Sequence, residues 1–181
     1  MDFTKLLKHR QSVRKYANKP IERDKIDKLI EAVRLAPSAC NSQPWKLIIV
    51  NEPNLKNEVA NATFNTMIPM NKFVPEVPVI AVITMEKPKV ITQIGGRIKN
   101  REFPMFDIGI AAEHLCLQAT ELGLGTCMLG WFDEKRIKKL LNIPAKKSIG
   151  LLITVGYAAD NYPLREKKRK SVGEMSEFNK Y

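Results

Sequence analysis

The chain alternates between apolar stretches of helical spacing and short runs of β-branched residues. Ile26, Leu29 and Val33 recur three or four residues apart, which is typical of an amphipathic helix. Residues 77–84 are instead a run rich in valine and isoleucine, which is typical of a strand buried on both faces. The pattern predicts helices at 2–8, 22–35, 55–62, 105–122 and 133–141, and strands at 46–50, 77–84, 126–131 and 148–157. Helices that alternate with buried strands predict an α+β or α/β sandwich.

The predicted helix 105–122 is apolar around nearly its whole circumference. The apolar residues are Met105, Phe106, Ile108, Ile110, Ala111, Ala112, Leu115, Cys116, Leu117 and Ala119. A helix of this kind must be covered on every side. Either a second subunit or the rest of the same chain could supply the cover, and the sequence leaves both possibilities open.

Two further segments show no sustained period. Residues 87–104, with Gly95 and Gly96 among charged residues, predict irregular chain at the surface. After residue 157 the chain becomes polar and basic, with too few apolar residues to fold by itself. We expect this extension, residues 158–181, to lie across a partner surface.

Composition limits the class of protein. A chain of 181 residues with 44% hydrophobic content predicts one domain over 1–181. The start lacks a signal-peptide pattern, and the longest apolar run, 77–85, is too short to cross a bilayer. Cys40, Cys116 and Cys127 form no CxxC pair, so we expect free thiols in the cytoplasm. With only two histidines, no metal site is predicted and the chemistry is expected to come from a cofactor.

Net charge points to phosphate. The formal charge is +11, from 30 Lys and Arg against 19 Asp and Glu, and would attract the phosphates of cofactors or of nucleic acid. One dense cluster comprises Arg165, Lys167, Lys168, Arg169 and Lys170, and the other comprises Lys8, Arg10, Arg14 and Lys15. Two basic segments from opposite ends of the chain could converge on one phosphate.

Three motifs stand where chemistry could occur. Arg10, Ser12 and Arg14 alternate after the first helix and suit a phosphate monoester, although alone they read as a solvated turn. The sequence PSACNSQPW at 37–45 is a rigid polar loop that could face a heteroaromatic ring, or a plain connection anchored by a core tryptophan. In the sequence GLGTCMLGW at 123–131 the first glycines precede a strand instead of opening a helix, and Met128 stands at the last glycine position of a dinucleotide loop, so that motif is excluded. Gly130, at the end of the predicted strand, would instead let a flat ligand approach the backbone closely.

Together these segments, in this order, resemble the nitroreductase superfamily of FMN enzymes over nearly the whole chain. The resemblance implies an α+β three-layer sandwich with a central, mostly antiparallel sheet flanked by helices. It also implies a homodimer with the C-terminal tail exchanged onto the partner subunit and FMN at each interface. Hydride would pass from NADH or NADPH through flavin N5 to a small acceptor, such as a nitroaromatic or a quinone, by a ping-pong mechanism.

The resemblance also assigns the phosphate end of the cofactor. In that family an Arg-x-Ser-x-Arg/Lys turn holds the flavin, and a Lys-x-Arg pair near the C-terminus completes the phosphate site. By this match Arg10, Gln11 and Ser12 face the phosphate and ribityl chain, and Arg14 lies near the pyrimidine edge. Lys167 and Arg169 match the Lys-x-Arg pair.

The ring end of the cofactor is assigned in the same way. The loop that reaches the flavin from the other protomer is matched by Pro37, Ser38, Ala39 and Asn41. Leu129 and Gly130 match the backbone segment that hydrogen-bonds flavin N5 and O4, and Lys72 matches a lysine near the pyrimidine. Ala39 replaces a serine often found there, so its contact would be through the backbone.

Other functions remain open on the sequence alone. The same scaffold could carry enoate reduction, reductive dehalogenation or flavin cycling. A nucleic-acid-binding module is supported by the charge and the basic tail, but the chain lacks recognised RNA-binding motifs. We therefore expect a small-molecule acceptor, with no nucleic acid and no membrane as partner.

Overall fold

A four-stranded antiparallel sheet lies at the centre of the computed structural model, which describes residues 2–67 and 69–181. The strands are β1 (Trp45–Val50), β2 (Val79–Met85), β3 (Gly125–Leu129) and β4 (Ser148–Gly156), in the order β1-β2-β4-β3. All three pairings are antiparallel. The sequence prediction of strands in these regions is confirmed.

Helices cover both faces of the sheet. They are α1 (Phe3–His9), α2 (Arg23–Arg34), α3 (Pro53–Asn61), α4 (Val90–Lys99), α5 (Phe103–Glu121), α6 (Glu134–Leu140) and α7 (Val172–Met175). Ala81 and Ile83 of β2 pack with α2 and α5 on one face. Ile80 and Val82 pack with α3 and α6 on the other face. Because both faces of β2 are buried, its sequence is apolar without alternation, and the α+β three-layer sandwich is confirmed.

Helix α4 corrects one sequence expectation, because residues 87–104 are not irregular. Only Thr92 and Gly96 of this helix are buried, and they lie one turn apart. At Gly96 an added Cβ would lie 2.7 Å from the Arg101 carbonyl oxygen, so the contact face has room for no apolar side chain. Ile91, Ile94 and Ile98 of α4 do have helical spacing, but they form the exposed face of the helix.

Helix α5 is only partly covered by its own chain. Ile108, Ala111 and Leu115 are buried against the sheet and α2. In the N-terminal half, Phe106 is 54% exposed and Ile110 is 37% exposed. The chain therefore does not wrap this helix completely, and part of its apolar surface remains open.

The segment that follows α1 crosses the edge of the sheet and is anchored by buried side chains. Val13 and Tyr16 point into the core, and the Val13 N–H donates to the Thr126 carbonyl at 2.8 Å. Gly125 permits this approach, because an added Cβ would meet the Val13 side chain at 2.6 Å. Residues 10–14 are thereby fixed alongside β3.

The C-terminal extension has two parts. Residues 162–169 run beside residues 8–14 of the same chain. Beyond them, α7 begins at a capping box between Ser171 and Glu174, and Val172, Met175 and Phe178 are exposed. Within the described residues, no helix combines the length and apolar character that a bilayer crossing requires.

Candidate functional site

The two basic segments line one pocket of about 330 Å³. Its walls are Arg10, Gln11, Ser12, Arg14, Arg165, Glu166, Lys167, Lys168 and Arg169. We call it the basic pocket. The five residues assigned to the phosphate end of a flavin by resemblance are therefore neighbours in space, together with Arg14, although the two basic segments are separated by about 150 residues of sequence.

Lys167 fastens the two segments together. Its Nζ donates to the carbonyl oxygens of Lys8 and Arg10, each at 2.7 Å. These carbonyls belong to the end of α1, where unpaired backbone acceptors favour a cation. Burial, with the adjacent Arg10 and Arg169 guanidinium groups, holds the pKa of Lys167 below its usual value. An anion in the basic pocket would relieve this repulsion between like charges.

Gln11 and Arg165 form a second link between the two basic segments. The Arg165 N–H donates to Gln11 Oε1 at 3.0 Å, and Gln11 Nε2 donates to the Pro163 carbonyl at 3.0 Å. The Arg165 guanidinium also donates to the carbonyl of Ser12 and to the Tyr162 hydroxyl. Sequence reasoning noted Arg165 only as part of a charged cluster. The tail packing that brings it to the pocket leaves no local signal in the sequence.

Arg10 is oriented by a carboxylate on α5. Its Nε lies 3.4 Å from Glu113 Oε1. The pair leaves the terminal nitrogens of the guanidinium for another acceptor, and a guanidinium presents donors suited to two oxygens of a phosphate. The ion pair therefore orients Arg10 through Nε and leaves the terminal N–H donors for another acceptor.

The end of β3 and the turn at Lys72 form a second group of assigned residues. Asn71 is buried, and its Nδ2 donates to the carbonyls of Thr63 and Trp131 at 3.0 and 3.1 Å. This amide ties the turn that carries the exposed Lys72 to the segment that follows Gly130. An added Cβ at Gly130 would meet nothing within 4 Å, so the backbone there is open to a flat ligand. The sequence analysis did not identify Asn71.

The basic pocket and this second group lie along the same strand. Ser12 pairs with Thr126 in an isolated parallel bridge, and Leu129 is three residues further along β3. At the rise of an extended strand, that separation is about 10 Å. A ligand with a phosphate in the basic pocket and an extended linker could therefore place its ring at Leu129 and Gly130.

The third group is the connection between α2 and β1, which we call the 37–43 loop. Pro37 and Asn41 are exposed, and Ser38 and Ala39 are half-buried. Ser38 Oγ accepts from the Gln43 N–H at 2.8 Å. Hydrogen bonds that involve side chains join the loop to Asp107 of α5, to Thr92 of α4 and to Lys89 just before α4, and none of these residues belongs to the other two groups.

The fold and these three groups define a class of protein. It is an α+β sandwich with a cluster of cationic side chains at the edge of an antiparallel sheet and an open glycine at the end of the neighbouring strand. The chain belongs to the Nitroreductase family, whose model matches residues 7–157. It is accordingly an oxidoreductase.

Known proteins support this membership. A relative from Archaeoglobus fulgidus, with the provisional name NADH dehydrogenase/NAD(P)H nitroreductase, is 29% identical over 163 residues, covering 86% of this chain and 85% of that protein. A nitroreductase family protein from Clostridium novyi NT has a structure similar at TM-score 0.77 with 33% identity, over 88% of this chain and 87% of that one. An FMN-dependent nitroreductase from Clostridium difficile R20291 has a structure similar at TM-score 0.73 with 26% identity, over 97% of this chain and 98% of that one.

Proposed function

We propose that the chain is an FMN-dependent oxidoreductase that transfers hydride from NADH or NADPH to a small electrophilic acceptor. The observation that carries the proposal is the convergence of Arg10 and Arg169 on one pocket. Cations from both ends of the chain surround a space that suits a phosphate monoester, and the relative from Clostridium difficile is named for FMN. The residues present fit this cofactor.

The chain's residues would bind and orient FMN. Arg10, Ser12 and Arg169 hold the phosphate, while Lys167 keeps the two basic segments together. Backbone groups at Leu129 and Gly130 fix the ring position, and Lys72 or Arg14 offers positive charge to the pyrimidine edge. When bound, the isoalloxazine ring supplies hydride acceptance and donation, so the protein needs no catalytic triad.

We further propose a homodimer in which the 37–43 loop completes the flavin site of the partner subunit. Pro37 and Asn41 are exposed, and Phe106 and Ile110 leave the adjacent face of α5 uncovered. A second copy would bury this apolar surface. Residues 171–181 carry Val172, Met175 and Phe178 exposed at regular spacing, which supports exchange of the tail onto the partner.

The reductant and the acceptor would use the same ring face in turn, which gives ping-pong kinetics. Nitroaromatics and quinones are acceptors of the required kind. The relative from Archaeoglobus fulgidus carries NAD(P)H in its name, which supports a nicotinamide as reductant. All three cysteines are unpaired, which supports a reducing cytoplasm as the location.

An absorption spectrum followed by anaerobic titration with NADH and NADPH tests the proposal. Protein reconstituted with FMN should retain the yellow flavin bands after gel filtration, and NAD(P)H should bleach them in stoichiometric amount. Protein that retains no FMN, or bound FMN that neither nucleotide bleaches, would contradict the proposed reaction.

A further inference from the structure

The Ala39 peptide is held from both sides by side chains of two helices. Its N–H donates to Asp107 Oδ1 of α5 at 3.0 Å, and its carbonyl accepts from Thr92 Oγ1 of α4 at 3.3 Å. Asp107 and Thr92 are each 3% exposed, so water does not compete for these bonds. We call this arrangement the Ala39 clamp.

The Thr92 side of the clamp is a directed chain of hydrogen bonds. The Lys89 N–H donates to Ser42 Oγ at 3.0 Å, and the Ser42 and Thr92 hydroxyl oxygens are 2.8 Å apart. A hydroxyl donates only one proton, and the Thr92 proton goes to Ala39. Ser42 therefore donates to Thr92 and accepts from Lys89. The chain ties the 37–43 loop to the first turn of α4.

The backbone of the 37–43 loop needs such support. Cys40, Asn41 and Gln43 have φ angles of 52°, 49° and 48°, in the left-handed region that residues other than glycine rarely adopt. Conformations of this kind persist only where the surroundings determine them. The clamp acts on Ala39, directly before the first of these residues.

Asp107 carries a cost that packing alone does not explain. Its Oδ2 is buried and has no hydrogen-bond partner within the described residues. A buried carboxylate with an unpaired oxygen opposes folding, and an apolar side chain in its place would avoid that cost. The bond from Oδ1 to the Ala39 N–H is the interaction that an apolar residue could not make.

We infer that Asp107 and Thr92 are positioning residues for the flavin site. By fixing the Ala39 peptide, they set the loop conformation that presents Ser38 and Asn41 to the flavin of the partner subunit. The inference rests on the proposed function for its ligand, and on the clamp geometry for the residues. Ala39 is then the anchored point of the loop, with both of its backbone groups engaged inside its own chain.

Paired substitutions test the inference on full-length protein reconstituted with FMN. Asp107→Ala and Thr92→Val remove the hydrogen bonds, whereas Asp107→Asn and Thr92→Ser retain an acceptor and a hydroxyl. We expect the first pair to raise the Kd for FMN about tenfold and the second pair to recover most of that loss. Fluorescence quenching measures the Kd, and hydrogen exchange of the Ala39 amide in flavin-free protein should accelerate in Asp107→Ala but not in Asp107→Asn.

Thr120→Val is the matched control, because the Thr120 hydroxyl bonds the Cys116 carbonyl of the same helix at 2.8 Å, away from the loop. It should leave both readouts at the parent value. The inference is overturned if Asp107→Ala lowers Tm while the Kd for FMN stays at the parent value, or if Asp107→Asn behaves as Asp107→Ala. Should Asp107→Ala fail to fold, the Kd values for FMN of Thr92→Val and Thr92→Ser decide, and equal values for these two variants would overturn the inference. If the parent itself binds no FMN, the proposed function fails, while the exchange rates still test the clamp.

Discussion

At the scale of single residues, Lys167 links the architecture of the site to its charge. Its ammonium group spans two backbone carbonyls and faces the Arg10 and Arg169 guanidinium groups, which depress its pKa in addition to burial. The protonated ammonium group of Lys167 therefore holds the two basic segments together and also adds positive charge that would attract a phosphate.

Affinity for FMN should fall as the pH rises through the pKa of Lys167. Because that pKa lies below the usual 10.5, the ammonium charge is lost at a lower pH than for an exposed lysine. Lys167→Arg stays charged across this range and should hold its affinity. Kd values for FMN across the alkaline range provide the measurement. Parallel pH profiles for the two proteins would exclude this role, since ionisation of the flavin itself is common to both.

Arg14 should set the reduction potential of bound flavin. In the proposed site the guanidinium would stabilise negative charge near the pyrimidine edge, so Arg14→Ala is expected to lower the potential by on the order of 30 mV. Lys15→Ala, an exposed neighbour outside the basic pocket, is the control. Anaerobic redox titration measures both variants. A parent-like potential in Arg14→Ala that still binds FMN would argue against this role.

Residue identities could be predicted from the sequence where they sit in a local motif, and not where they depend on distant packing. The alternation of Arg10, Ser12 and Arg14 is visible in the sequence. Asn71 and Asp107 are single polar residues outside any recognisable sequence motif. Their roles depend on hydrogen bonds to backbone groups that the fold brings next to them.

At the scale of elements, the buried strands were predictable and α4 was not. Val82 and Ile83 of β2 face opposite helical layers. Because both faces of the strand are buried, its sequence is a continuous apolar run that can be recognised without the structure. Helix α4 contacts the chain through Thr92 and Gly96 and turns Ile91, Ile94 and Ile98 outward. The three isoleucines have helical spacing but lie on the exposed face, and the contact face depends on a close backbone approach at Gly96 that hydrophobic spacing does not reveal.

Adjacent glycines of α4 should respond oppositely to alanine. Gly96→Ala would place a Cβ 2.7 Å from the Arg101 carbonyl oxygen and should destabilise the protein by about 1–3 kcal/mol. Gly95→Ala meets nothing within 4 Å and should gain up to about 1 kcal/mol from helix propensity. Thermal denaturation, with hydrogen exchange across α4, measures both. Equal effects at the two positions would show that the contact does not hold α4.

At the scale of the whole molecule, the open face of α5 should be an interface between two copies. Phe106→Asp would bury a carboxylate there and should weaken dimerisation on the order of a hundredfold or more, with loss of FMN. Lys139→Asp, on α6 at the opposite side of the sheet, introduces the same carboxylate as a control. Sedimentation equilibrium measures the association. A Phe106→Asp protein that remains dimeric would place the interface elsewhere.

The most direct test of the central claim compares FMN with riboflavin, which lacks the phosphate. If the basic pocket binds that phosphate, the parent protein should bind FMN more tightly than riboflavin by roughly a hundredfold. Arg169→Ala should reduce this ratio by about tenfold while leaving the affinity for riboflavin unchanged. Equal affinity of the parent protein for the two flavins would contradict the claim that the basic segments from the two ends of the chain meet to bind a flavin phosphate.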